Sequence, residues 1–108
     1  MLTDKTGAPV TVARAESEFT VAVEGKSVGL MAFVVREGQR VFLHTEVEKA
    51  YGGRGLATVL IAEGLSATRN DGLRIVAVCP MVAAYVKKHR EYDDIVDSPS
   101  RALMDSLE

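Results

Sequence analysis

Residues 41–62, VFLHTEVEKAYGGRGLATVLIA, change their period halfway along. Through Val47 the residues alternate as a half-buried strand requires, with Phe42, His44 and Glu46 expected on one face and Val41, Leu43, Thr45 and Val47 on the other. From Leu56 the repeat becomes helical: Leu56, Leu60 and Gly64 share one face, and Ala57, Ile61, Leu65 and Thr68 run beside it. The spacing therefore predicts a helix over 54–69 that follows a strand through a glycine turn.

That turn is chemically suggestive. The first amides of a helix lack intrahelical partners and carry a partial positive charge, so anions collect there. A pyrophosphate reaches such amides only past residues with little or no side chain. Gly52, Gly53, Gly55 and Ala57 meet that condition, the amides from Gly53 to Thr58 are the candidate donors with Leu56 among them, and Arg54 adds a cation. A turn that merely needs room to bend would use the same glycines. Two named alternatives fail. The nucleotide P-loop needs Lys and then Ser or Thr after its last glycine, where Leu56 and Ala57 stand, and the dinucleotide pattern needs a third glycine where Thr58 stands.

Upstream, FTVAV from Phe19, VGLMAFVV (28–35) and RVFLHTEV (40–47) read as three strands joined by turns at Gly25 and Gly38. Downstream, Asn70-Asp71-Gly72 ends the helix, and LRIVAVC (73–79) reads as a strand that Pro80 stops. Pro80 also suits the first turn of a helix, so MVAAYVKKH continues as a second helix with a basic end. The predicted order is βββαβα: a mixed, mostly antiparallel α/β (α+β) sheet whose strand 73–79 runs parallel to strand 40–47. Residues 1–9 and those beyond Ser98 read as peripheral, with one or two helical turns in SRALMDSLE.

The 108 residues, 47% of them hydrophobic, suit one domain over 1–108 with its core at about 10–97 and a short segment at 98–108. A net charge of −2 offers no footprint for nucleic acid. No apolar run approaches the roughly 20 residues of a membrane helix, and the first residues do not read as a secretory signal. The single cysteine, Cys79, excludes an internal disulfide and a multi-cysteine metal site; no metal and a cytoplasmic setting are expected.

The loop YGGRGLA, after a strand and before a helix, resembles the acetyl-coenzyme A pyrophosphate loop of the GNAT acyltransferases. Their pattern is Gln or Arg, two residues, Gly, one residue, Gly or Ala. Gly55 and Ala57 fill its last places, Gly52 stands where Gln or Arg is usual, and Tyr51 sits where these proteins often carry an aromatic residue. Together with HTEV before it and CPMVAAYVKKHREY after it, the loop resembles a small single-domain subgroup of that family across residues 19–96, with Arg90 in place of an expected proline.

The resemblance implies a compact GNAT-like fold, acetyl-coenzyme A as cofactor, and N-acetyltransferase activity on an amine of a small molecule or a protein. It implies that the strand pair splays, that the pantetheine arm pairs with the main chain at Glu46 and Val47, and that the acceptor side is open. His44 or Glu46 would take the amine proton; alternatively His44 is a core residue and Glu46 a solvated charge. Cys79, facing the thioester, would be an acyl carrier or inert packing, with direct transfer as the other route. Tyr85 would protonate the leaving thiolate or hydrogen-bond the cofactor, with Tyr92 as second choice. Lys87, Lys88, His89 and Arg90 would complement the helix end or meet a 3'-phosphate. The competing function is a non-catalytic acyl-coenzyme A binding or interaction module on the same fold, and the expected assembly is a monomer or weak homodimer.

Overall fold

The computed structural model describes residues 2–107. Seven strands lie in one sheet in their chain order: β1 (Leu2–Thr3), β2 (Pro9–Arg14), β3 (Glu18–Val23), β4 (Lys26–Arg36), β5 (Gln39–Val47), β6 (Arg74–Ala77) and β7 (Val96–Asp97). The first five pair antiparallel, while β5 with β6 and β6 with β7 run parallel. The described residues also form the α-helices α1 (Leu56–Asn70), α2 (Pro80–Lys88) and α3 (Arg101–Ser106) and 3₁₀ turns at Lys49–Tyr51 and Arg90–Ile95. Among the described residues no helix is long and apolar enough to cross a membrane.

This is the predicted α/β architecture, with the strand–helix–strand crossover around α1 giving the parallel pair. The N-terminus departs from expectation. Residues 9–14 form β2, whose start at Pro9 is tolerated because a proline at a strand's first residue removes no interior ladder bond. At the other end, Val96–Asp97 adds a strand beside β6 and Ser100 caps α3 by accepting from the Leu103 amide at 3.1 Å.

The main core lies between the sheet and the helices α1 and α2. It gathers Phe19, Val21, Met31, Phe33 and Phe42 from the strands with Leu60, Leu65 and Val82 from the helices. On the opposite sheet face α3 sets Leu103 on Val41 and Val76. One irregularity decides which side chains reach which face. Ala32 pairs with His44 but Phe33 pairs with Phe42, so Leu43 is an extra residue in β5. Such a bulge shifts the alternation by one. The strict alternation predicted from sequence is thereby overturned: Phe42, Thr45 and Val47 face the helices, while His44 and Glu46 stand exposed on the outer face.

Arg40 is buried at 5% exposure, between sheet and α1. Its guanidinium lies over the rings of Phe33 (4.7 Å) and Phe19 (5.4 Å) and donates to Thr68 Oγ1 (3.1 Å) and to Asp71 (3.0 Å), which also pairs with Arg14. Arg40 holds the Asp71 carboxyl below the ordinary aspartate value, Arg69 does so for Asp94, and Arg74, with Gln39, for Asp97. A depressed carboxylate binds its proton less readily folded than unfolded. Its stabilisation is therefore complete above the unfolded value, about 3.9, and is lost as pH falls through the lower folded values. The midpoint of chemical denaturation should thus stay level from neutral pH to about pH 4.5 and then drop. A midpoint that holds below about pH 3 would contradict these pairings.

Candidate active site

The parallel pairing of β5 with β6 runs from Gln39 opposite Arg74 to Phe42 opposite Ala77 and stops there. The Phe42 carbonyl accepts from both the Val78 amide (3.0 Å) and the Cys79 amide (2.8 Å). Pro80 then turns the chain into α2, and β5 continues to Val47 paired with β4 but no longer with β6, leaving a gap. Main-chain phase follows from the Glu48 amide, which donates to the Val28 carbonyl at 2.8 Å. Glu46, expected to pair with the arm alongside Val47, therefore turns its main-chain groups toward β4, as does His44, because residues two apart share one side of a strand, and Thr45 joins Val47 in facing the gap. Across it the Thr45 hydroxyl meets the Cys79 thiol at 3.4 Å.

The glycine loop follows a 3₁₀ turn at Lys49–Tyr51. Gly53 and Gly55 both have φ of +77°, a left-handed conformation that side chains other than glycine's adopt at a cost, and this pair bends the chain sharply into α1. The first helical bond of α1 runs from the Val59 amide to the Gly55 carbonyl at 3.1 Å. The amides of Leu56, Ala57 and Thr58 therefore have no carbonyl within the helix. They border a cavity of about 130 Å³ lined also by Val47, Tyr51, Gly52, Gly53 and Gly55. Arg54 does not line it. Its guanidinium pairs with Asp4 at 3.3 Å and lies over the Tyr51 ring at 4.8 Å.

A second hollow of about 350 Å³ lies between α1 and α2, lined by Ala57, Thr58, Ile61, Met81, Ala84, Tyr85, Lys88 and His89. Tyr85 stacks on His89 with centroids 4.2 Å apart, and burial, with smaller effects from Tyr92 and Glu91, pushes its phenol above the ordinary tyrosine value. It remains a proton donor at neutral pH. Tyr92 is buried, away from this hollow, and its hydroxyl meets Ser66 Oγ at 3.0 Å. Of the basic cluster, Lys88 and His89 reach the hollow, and Arg90 pairs with Asp93 at 2.6 Å.

These spaces adjoin. Val47 borders both the gap and the loop cavity, and Ala57 and Thr58 belong to both the loop cavity and the α1–α2 hollow. The track offers, in order, unpaired strand groups, free helical amides and a partly apolar cleft. An amide-containing arm joined through a pyrophosphate to a nucleotide matches that order, so the residues fit coenzyme A.

On the outer face beside the gap, His44 Nε2 lies 3.1 Å from Glu46 Oε2, with both side chains more than 60% exposed. Cys79 is 2% exposed, within the main core. Sequence reasoning missed Thr45, whose role at the gap depends on the bulge, and Asp4, whose buried carboxylate anchors Arg54. The only local trace of Asp4 is a turn-like DKTG segment at 4–7.

Comparison with known proteins agrees with this geometry. A family model described as GCN5-related N-acetyl-transferase matches residues 18–95. Among solved structures, a GCN5-like protein of Staphylococcus aureus, determined by solution NMR, superposes with a TM-score of 0.64 at 20% identity, covering 84% of this chain and 91% of its own. The ribosomal-protein-S18-alanine N-acetyltransferase of Escherichia coli superposes with a TM-score of 0.57 at 14% identity, over 72% of this chain and 54% of its own. Ard1 from Thermoplasma volcanium gives 0.52 at 21% identity, over 70% and 55%. The chain thus spans about half the length of these last two. No curated protein sequence matches it. With the family model lying across β3 to β6, the glycine loop, α1 and α2, the chain belongs to the GCN5-related N-acetyltransferases, which transfer an acetyl group from acetyl-coenzyme A to an amine.

Proposed function

We propose that the chain transfers acetyl directly from acetyl-coenzyme A to an amine that approaches the outer sheet face, with His44 as general base held by Glu46. The observation that carries this reading is the placement of the His44–Glu46 pair, in hydrogen-bond contact and open to solvent, beside a continuous track that suits the cofactor. When bound, acetyl-coenzyme A supplies the activated acyl group. The chain's residues do the rest. The Thr45 and Val47 main chain pairs with the arm, the amides of Leu56, Ala57 and Thr58 hold the pyrophosphate, and Gly52, Gly53 and Gly55 leave it room. Glu46 accepts from one imidazole nitrogen, which leaves the other free to take the amine proton. Tyr85, kept protonated by its surroundings, donates a hydrogen bond to the nucleotide end of the cofactor in the cleft, and the departing thiolate takes its proton from solvent at the open gap.

Cys79 is packing in this mechanism. Its thiol is buried, and its polar neighbour is the Thr45 hydroxyl rather than a base or cation that would favour the thiolate. The outer face near His44 carries no covering helix between β3 and β4, which suits an amine presented on a macromolecule. A reducing, cytoplasmic setting suits the single reduced thiol.

The test uses radiolabelled acetyl-coenzyme A with a panel of peptide and small-molecule amines. His44→Gln should lower kcat by about a hundredfold or more with coenzyme A affinity unchanged, and Cys79→Ala should keep wild-type turnover. An acetylated Cys79 on intact-mass spectrometry, lost together with turnover in Cys79→Ala, would replace this reading with a covalent relay.

A further inference from the structure

The turn before β2 is built around a carboxylate with no access to solvent. Asp4 accepts from the Thr6 amide (2.8 Å), the Thr6 hydroxyl (2.6 Å), the Ala8 amide (3.0 Å) and the Arg54 guanidinium (3.3 Å), and its side chain is 0% exposed. In the opposite sense the Lys5 amide donates to the Arg54 carbonyl at 3.0 Å. The two contacts clamp residues 4 and 5 onto the glycine loop.

The clamp lays the Lys5 side chain across Gly55. A Cβ placed on Gly55 would lie 3.2 Å from Lys5 Cε and 3.5 Å from its Cγ. Gly55 is the residue from which α1 springs, so the Lys5 stem passes the end of the helix where unpaired amides gather. Two cations therefore attend the loop, and they are not equivalent. Arg54 is matched by a buried carboxylate and turned onto Tyr51, whereas the exposed Lys5 pairs with no carboxylate among the described residues. At the start of the loop, Gly52 has no side chain to offer.

We propose that Lys5 supplies the cationic side-chain contact to the pyrophosphate of coenzyme A. This rests on the reading of the loop as the pyrophosphate site. A lysine acts there as a mobile point charge, so it needs proximity to the phosphates rather than a fixed fork geometry.

Isothermal calorimetry on the full chain tests both levels with three probes: coenzyme A, 3'-dephospho-coenzyme A and pantetheine. Lys5→Gln should weaken both nucleotide-bearing probes about tenfold, the scale of one hydrogen bond to a charged group, and leave pantetheine unchanged. Its coenzyme A affinity should also depend less steeply on salt, and Lys5→Arg should stay within about twofold of wild type. Because Lys5 is exposed, the melting temperature should not move. If Lys5→Gln binds coenzyme A like wild type while wild type still prefers it to pantetheine, the Lys5 role is overturned and the loop reading stands. If the loss appears with coenzyme A but not with the dephospho form, Lys5 meets the 3'-phosphate and the proposal is again overturned. Wild-type protein that binds pantetheine as tightly as coenzyme A would overturn the loop reading itself.

Discussion

Coenzyme A is expected to bind an Ala57→Glu variant at least about a hundredfold more weakly than the wild-type chain. Ala57 is the residue that the loop cavity and the α1–α2 hollow share with Thr58, and it lies in the first turn of α1. A glutamate there fills the passage and sets a carboxylate where phosphate oxygens must lie. Like charges brought together cost several kcal/mol, and about 2.7 kcal/mol already corresponds to a hundredfold. The same substitution should leave folding intact, because an acidic residue in the first helical turn complements the helix dipole. Calorimetry for affinity and thermal unfolding for stability separate the two effects. Binding within about tenfold of wild type, in a protein that melts normally, would remove the pyrophosphate from this end of α1.

The second large effect falls on stability. Arg40→Ala should cost about 3 kcal/mol, measured by urea denaturation at neutral pH. A desolvated cation–aromatic contact is worth about 2 kcal/mol and a hydrogen bond from a charged group about 1.5–3, and Arg40 makes contacts of both kinds inside the core. The sum is reduced because its Nε has no partner and because burying any charge is costly. Arg40→Met puts an apolar side chain beneath the rings of Phe19 and Phe33 and leaves Asp71 its surface pairing with Arg14, so it should recover more than half of the loss. A loss below about 1 kcal/mol for the alanine variant would show that the guanidinium contributes little beyond offsetting its own burial.

The position of Arg40 illustrates what a pattern of residues conveys and what it withholds. In sequence it is a polar residue at a strand's first positions, where an exposed charge is ordinary. Its burial follows from α1 crossing that point with Thr68 and Asp71 on the facing side. The His44–Glu46 pair is a similar case. Alternation identified the two as neighbours on one face, and they are, but it grouped them with Phe42, from which the extra residue at Leu43 separates them. A bulge leaves no mark in residue type here, since Leu43 is as good a strand residue as its neighbours.

By itself the sequence determined the strand–glycine loop–helix unit, the parallel return of β6, the breaks at Gly72 and Pro80 and the family to which the chain belongs. These depend on period, on residues with unusual backbone freedom or none, and on motifs contiguous in the chain, all of which are local. The tertiary structure decided which edge of β5 is free, which face His44 and Glu46 occupy, and that Asp4 and Lys5 belong to the glycine loop. Those outcomes rest on contacts between residues as much as fifty positions apart, as in the Arg54–Asp4 pair. The energy that selects such contacts arises only when burial and hydrogen-bond satisfaction are resolved for the whole sheet at once.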